Sequence, residues 1–337
     1  MRKIILFLFF LADYVGLFGQ SGGGGVLFNQ LNVANTPQLL ALGGINISQQ
    51  SRDIGMGFHN PALLRPSMHG QAGFVFHSYL GGINAYHTQW GMYSPALATV
   101  FSAGVQFFDY GTIQQTDAAG NGLGTLRPSD QLIQLSASRA YMQRWHYGVS
   151  LKWLRSLYGI YRASGVALDV GVTYTDSSNG WQMGLTMINM GAVINKFSGT
   201  EAASLPFDIR VGVSKKLENA PLQLSASWHH VHRFRLLEDP VPVDATTAAK
   251  PYGFASQLLS HLVLSAQWVL AEKIECTIGY NFLRRTELNA GLEGNGLNGL
   301  SMGAGVLLKR WQLRYARSYY LAGRGTSMLG ISMGIFK

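Results

Sequence analysis

Cysteine is almost absent from this 337-residue chain, and charge is scarce. The single Cys276 excludes an intramolecular disulfide and any cysteine-built zinc site. Charged residues make up 13% of the chain, about half the ~25% of an ordinary soluble domain. A soluble protein of this length needs a charged exterior, and the residues to build one are missing. Long hydrophobic runs are missing too: after the first residues no stretch of 18 or more is apolar, and a mean hydropathy of +0.10 is too low for a bundle of membrane helices. The formal charge is +9, but no run of Lys or Arg exceeds a pair, as in Lys215-Lys216 and Arg284-Arg285. Scattered charge of that kind reads as solvated turns and loops, so no nucleic-acid partner is expected.

What is present is glycine, apolar residues and aromatics. There are 41 glycines; hydrophobic residues reach 47% and aromatic residues 12%. High glycine and many aromatics with little charge occur together where an apolar wall faces lipid and alternation dilutes the hydropathy. The composition points to a transmembrane β-barrel.

The N-terminus has the form of an export signal. Met1-Arg2-Lys3 is basic, Ile4 to Leu11 is apolar, and small Gly16 and Gly19 precede Gln20. That run is too short to span a bilayer, so residues 1–19 read as a cleaved signal peptide and 20–70 as a distinct preface. Export together with a barrel composition implies a bacterial outer-membrane location. No cysteine stands at the cleavage region, so no lipoprotein anchor is expected.

Residues 71–337 then fall into segments of about ten residues with period-2 alternation, the length of a tilted spanning strand. Fourteen are predicted: 71–79, 83–93, 97–108, 131–141, 145–156, 164–175, 181–190, 206–216, 221–233, 261–270, 274–283, 299–309, 311–319 and 327–336. In 164–175, Val166, Leu168, Val170, Val172 and Tyr174 oppose Ala167, Asp169, Gly171 and Thr173. A large apolar residue on one face and a small or polar one on the other is the lipid-out, lumen-in rule of a barrel wall. Short connections, such as Ser94-Pro95, Met142-Gln143-Arg144 and Ala271-Glu272-Lys273, alternate with long ones at 109–130, 157–163, 191–205, 234–260, 284–298 and 320–326. This is the sidedness of an outer-membrane barrel, with short turns and both termini in the periplasm. Aromatics at segment ends, including Tyr93, Trp145, Tyr319 and Tyr320, suit interfacial girdles, and Phe336 closes the last segment.

Within the preface, Ala41-Leu42-Gly43-Gly44-Ile45-Asn46 and Phe58-His59-Asn60-Pro61-Ala62-Leu63-Leu64 resemble the N-terminal signature of FadL-like outer-membrane proteins. The resemblance implies an all-β, fourteen-stranded antiparallel barrel whose lumen holds an N-terminal plug, with Gly43, Gly44, Asn60, Pro61 and Ala62 as the plug-turn signature. Gly104 to Gly111, Leu205-Pro206-Phe207, Gly212 to Leu217, Ala220-Pro221-Leu222 and His229-His230 are most similar to the PorQ-like barrels of the type IX secretion system. That similarity implies a non-enzymatic member of the attachment complex. It would hold an extracellular surface protein of the PorZ kind, which recognises lipopolysaccharide, near a sortase and a PorV-like barrel. The wider superfamily supplies a rival reading, a transporter of hydrophobic small molecules.

Chemistry-bearing motifs are few. No Gly-x-Ser-x-Gly elbow sits at a strand-to-helix turn, and the Gly291 to Gly299 patch lacks a phosphate-loop context, so no catalytic residue and no cofactor is expected. His229, His230 and His232 invite a metal, but on a strand His229 would point opposite to the other two, so no metal site is expected. Lys152 and Asp169 face the lumen, where inward charges must pair. The loop 234–260 is the foremost partner-binding surface, with Glu238, Asp239, Pro240, Tyr252 and Phe254 as candidates.

Overall fold

The computed structural model of the chain describes residues 26–197, 203–237, 251–288, 297–321 and 324–335. The expected signal peptide, Glu238, Asp239, Pro240 and Phe336 lie outside the described residues. Strands run in order β1 (Gln71–Ser78), β2 (Asn84–Ser94), β3 (Thr99–Asp109), β4 (Ile113–Thr116), β5 (Gly122–Leu126), β6 (Ser129–Tyr141), β7 (Trp145–Tyr158) and β8 (Tyr161–Asp176). They continue as β9 (Trp181–Asn195), β10 (Asp208–Lys216), β11 (Leu222–Trp228), β12 (Leu262–Leu270), β13 (Ile274–Asn281), β14 (Leu300–Leu307), β15 (Trp311–Leu321) and β16 (Arg324–Gly334). All but β4 and β5 close into one antiparallel barrel of fourteen strands, with β1 paired to β16 from Gln71↔Gly334 to Ser78↔Ser327. Closure pairs every wall strand with two neighbours, the condition for crossing a membrane with sheet.

The period-2 pattern sorts the side chains as a bilayer requires. Leu135, Val149, Leu151, Leu168, Leu185, Leu313 and Leu329 are exposed on the outside, whereas Gln134, Ser136, Ser150, Lys152, Asp169, Arg210 and Arg314 are buried inside. A wall that is apolar outside and polar within is inside-out for water and correct for lipid. Trp145, Trp181 and Trp311 each begin a strand at the end where the turns are short, and all three are exposed, placing one aromatic girdle there.

The six connections at that end span three to five residues each. At the other end three expected long loops take a different form. Residues 157–163 are mostly strand, because β7 and β8 extend until only Gly159 and Ile160 turn the chain, Gly159 at φ +66°. The 109–130 excursion is organised as the β4–β5 hairpin. Residues 320–326 shrink to a gap between Leu321 and Arg324. Helices α2 (Phe254–Ser260) and α3 (Phe282–Leu288) occupy two of the remaining long connections.

The lumen is filled by the chain's own N-terminal segment. Turns at Asn29–Asn32, Ile54–Phe58, Pro61–Leu63 and Pro66–Met68 and the one-turn helix α1 (Pro37–Ala41) follow one another through it. Thr36 caps α1 by accepting from Leu39 N at 3.2 Å, with Pro37 in the first turn where no amide donor is needed. Its apolar residues find apolar partners on the inner wall: Leu39, Leu42, Met56 and Leu63 pack with Val75, Ala316 and Met328, and Leu31 and Phe58 with Leu132 and Leu154. Burying each such side chain contributes roughly 1.5–3 kcal/mol. Wall glycines make room: at Gly148, Gly171, Gly184 and Gly279 a Cβ would collide with plug atoms.

Candidate functional site

Plug, wall and connections meet inside the lumen through polar side chains that run from one end of the barrel to the other. The signature residues lie at the joints of the plug. Gly43 and Gly44, at φ +92° and +89°, end α1 by donating their amides to Leu40 O and Leu39 O at 3.1 and 2.9 Å. Gly43 O accepts from Asn281 Nδ2 at 3.2 Å and Arg284 Nη2 at 3.4 Å, tying this turn to the wall. Asn60 Oδ1 accepts from Ala62 N at 3.0 Å, capping the turn that starts at Pro61, while Asn60 Nδ2 donates to Ile47 O at 2.6 Å. Ala62 O then accepts from Thr173 Oγ1 at 3.1 Å. Further along, Ser48 and Ser214 share a hydrogen bond of 2.7 Å, and Gln134 Nε2 donates to Phe58 O at 3.2 Å.

Beneath these bonds lies a chain of buried charges. Lys152 Nζ meets Asp169 Oδ2 at 2.6 Å, the pairing expected of two inward charges, with both side chains inaccessible to solvent. Lys152 also donates to Asn189 Oδ1 at 3.0 Å and lies 5.3 Å from the centre of the Phe58 ring. Asn189, at φ +58°, sits where the β8–β9 register shifts, and its amide donates to Asp169 Oδ1 at 2.8 Å. Arg210 Nε donates to Asp208 Oδ2 at 2.6 Å, and Arg210 Nη1 lies 3.5 Å from His59 Nδ1. His59 Nε2 is 3.2 Å from Val33 O, so a proton on Nε2 leaves Nδ1 to accept from the guanidinium. Across the lumen Arg314 Nε donates to Glu275 Oε2 at 2.8 Å.

A cavity and a seam in the wall adjoin these residues. The cavity, of about 320 Å³, lies between Leu40 and Ile45 of the plug and Tyr79, Asn281, Arg284 and Tyr320 of the wall and its connections. Arg284 stacks 4.7 Å over the Tyr320 ring and donates to Ser318 Oγ at 2.5 Å. Burial, and then the facing Tyr320, push the Tyr79 phenol far above its ordinary range, so it stays a neutral donor. At the seam, β9 pairs with β8 as far as Asn195, but with β10 only up to Ile188. Among the described residues, nothing on β10 continues that ladder. Leu205, packed on Phe28 and Val193, and the Asn189 Nδ2 bond to Pro206 O at 2.9 Å close the seam instead. Val26 bridges Ser204 there, and the segment from Val26 to Ala34 runs from the seam to the cavity.

The expected strand 221–233 is too long. β11 ends at Trp228, and His230 adopts φ +53°, which no continuing strand allows. The alternation that set His229 opposite His230 therefore fails, and the two Nδ1 atoms lie 2.7 Å apart. Of the partner-binding candidates, Phe254 begins α2 well exposed, its ring 5.5 Å from Phe234, and Tyr252 precedes it. Asp208, Arg210, Asn189 and Arg284 were not singled out in the sequence. A charge inside an alternating strand, on the face of small residues, is the signal that marked Asp169, and it holds equally for Asp208 and Arg210.

No family model matches the chain, and no curated protein matches it. Solved structures do. The TodX monoaromatic hydrocarbon channel, as its deltaS2 mutant, is 12% identical over 92% of this chain and 100% of its own, with a TM-score of 0.53. The KdgM porin is 4% identical over 79% and 99% at 0.33, and CdiB from Acinetobacter baumannii 9% over 78% and 59% at 0.35. The TodX likeness shows a shared barrel fold.

Proposed function

We propose that the chain is a plugged outer-membrane channel that admits small apolar or amphipathic molecules at its outer mouth. The observation that carries this reading is the course of Val26 to Ala34: the segment bridges Ser204 at the wall seam and lines the mouth cavity with Asn29, Asn32, Val33 and Ala34, so its displacement would change both at once. The cavity combines apolar Leu40 and Ile45 with the donors of Arg284 and Tyr79, a lining suited to a molecule with an apolar body and a polar end. The likeness to a hydrocarbon channel agrees with such cargo. Radiolabelled toluene and octanoate uptake should be measured in porin-deficient cells producing the chain. Uptake above that of non-producing cells, lowered for octanoate by Arg284→Ala, supports the reading; uptake equal to that of non-producing cells refutes it.

A second reading, the PorQ-like anchor of a type IX attachment complex, is favoured by the polar plug that closes the lumen and by the exposed Phe234–Phe254 pair on a long outer connection. In it the barrel holds a PorZ-like surface protein and conducts nothing. A surface protein that co-purifies with the solubilised barrel and is lost when residues 239–253 are deleted supports this reading.

A further inference from the structure

Asp208 opens β10 at the outer rim of the wall, and His229 and His230 directly follow the last residue of β11. Val231 N donates to Ile209 O at 3.0 Å, which holds the two chain ends side by side. The left-handed turn at His230 then brings both imidazoles round to the Asp208 carboxylate. One nitrogen or oxygen from each of the three residues lies within 4.8 Å of the others; His229 Nδ1 is 2.7 Å from His230 Nδ1, which is 3.8 Å from Asp208 Oδ2.

We propose that Asp208, His229 and His230 form a binding site for a divalent transition-metal ion of the Zn²⁺ class. Bonds of about 2.0–2.2 Å to nitrogen and carboxylate oxygen in a tetrahedron set the ligand atoms roughly 3.3 Å apart. The separations of 2.7 and 3.8 Å lie on either side of that value and the third is within 4.8 Å, so rotations of the two rings reach it. Two imidazoles and one carboxylate with a fourth position open is a donor set that such ions accept. The His230 side chain is 28% exposed, which gives an ion a way in and leaves room for a water.

The surroundings fix the ligands. Asp208 Oδ1 accepts from His230 N at 2.6 Å, and Oδ2 accepts from Arg210 Nε at 2.6 Å, so the carboxylate cannot turn away. The Arg210 charge weakens cation binding, and the same bond holds the ligand in place. His261 has both ring nitrogens against carbonyls, His229 O at 2.7 Å and Phe234 O at 2.9 Å, so it braces the turn and is not a ligand. Each neutral imidazole carries one nitrogen lone pair, and the proton shared between the two Nδ1 atoms moves to a ring Nε2 when an ion takes its place. His232 is exposed, its ring centre 6.0 Å from that of His230, and serves as a control.

The test uses the full chain, untagged, purified in detergent and stripped with EDTA. Titration with Zn²⁺ should give one site per chain, weakened at least tenfold in His230→Ala and unchanged in His232→Ala. Cu²⁺ bound to the wild-type chain should show two imidazole nitrogens in its electron paramagnetic resonance spectrum, a readout that needs no variant. Heat-modifiable gel mobility checks that His230→Ala is folded. The proposal is overturned if wild type shows no saturable Zn²⁺ site, if folded His230→Ala binds as tightly as wild type, if His232→Ala abolishes binding, or if bound Cu²⁺ has fewer than two nitrogen ligands.

Discussion

At the scale of single residues, the lumen tolerates ionised side chains only because each has a partner. Lys152 and Asp169 are wholly buried 2.6 Å apart, so removing one leaves the other charged in a place that water does not reach. Lys152→Met should destabilise the barrel by about 3–5 kcal/mol, whereas Lys152→Met with Asp169→Leu should recover most of the loss. The urea midpoint of the detergent-solubilised protein measures both; equal midpoints for the two variants would show that the pair is not coupled. His229 and His230 make a second case. Unfolded, they take protons near the ordinary 6.5; folded, burial delays this to about 3 and about 4. Between pH ~4 and ~6.5 the unfolded chain binds more protons, so the stability these residues contribute is present at neutral pH and lost as pH falls through that window. With EDTA present, the Tm should be lower at pH 5 than at pH 7.5, and the gap should narrow in His229→Gln. An equal gap in that variant would contradict the assignment.

At the scale of elements, the strands were the legible part. Each wall strand carries its two faces in its own residues, as Leu168 and Asp169 do on β8, so alternation locates it without reference to neighbours. The ends were less legible because they depend on backbone geometry: β11 stops where His230 turns left-handed, and β7 and β8 continue until Gly159 allows a tight turn. The plug could be marked off as a segment without alternation, but its course could not be read. Its backbone groups bond to residues far away in the chain, such as Gly43 O to Asn281. Gly43 combines φ +92° with a Cβ position 2.5 Å from Val263 Cγ1, so any side chain there is both strained and obstructed. Gly43→Val should loosen α1 and leave the wall intact. The expected outcome is faster protease cleavage within residues 26–70 with unchanged heat-modifiable mobility; loss of the folded band instead would mean that the plug is needed for the wall to form.

At the scale of the whole molecule, a closed wall surrounds a plug that is bound to it by a different kind of contact. The wall is closed by ladder hydrogen bonds everywhere among the described residues except the outer β9–β10 seam, and the plug is held by side-chain hydrogen bonds and apolar packing. Side-chain bonds contribute about 0.5–1.5 kcal/mol each, so the plug is the part that can move while the wall stays. The candidate site was poorly legible at this scale, because Arg284, Tyr79 and Leu40 lie far apart in sequence and meet only when the barrel closes around the plug. In the channel proposed above, plug movement opens the path. Val26, at the head of the segment that runs to Ala34, pairs with Ser204 beside the seam, with Leu27 N donating to Ser204 O at 2.9 Å, and the pair offers a lock. In planar bilayers, Val26→Cys/Ser204→Cys in a Cys276→Ser background should show transient openings when reduced, none when oxidised, and openings again after dithiothreitol. Openings of equal frequency in the oxidised protein, or none in the reduced protein, would contradict it.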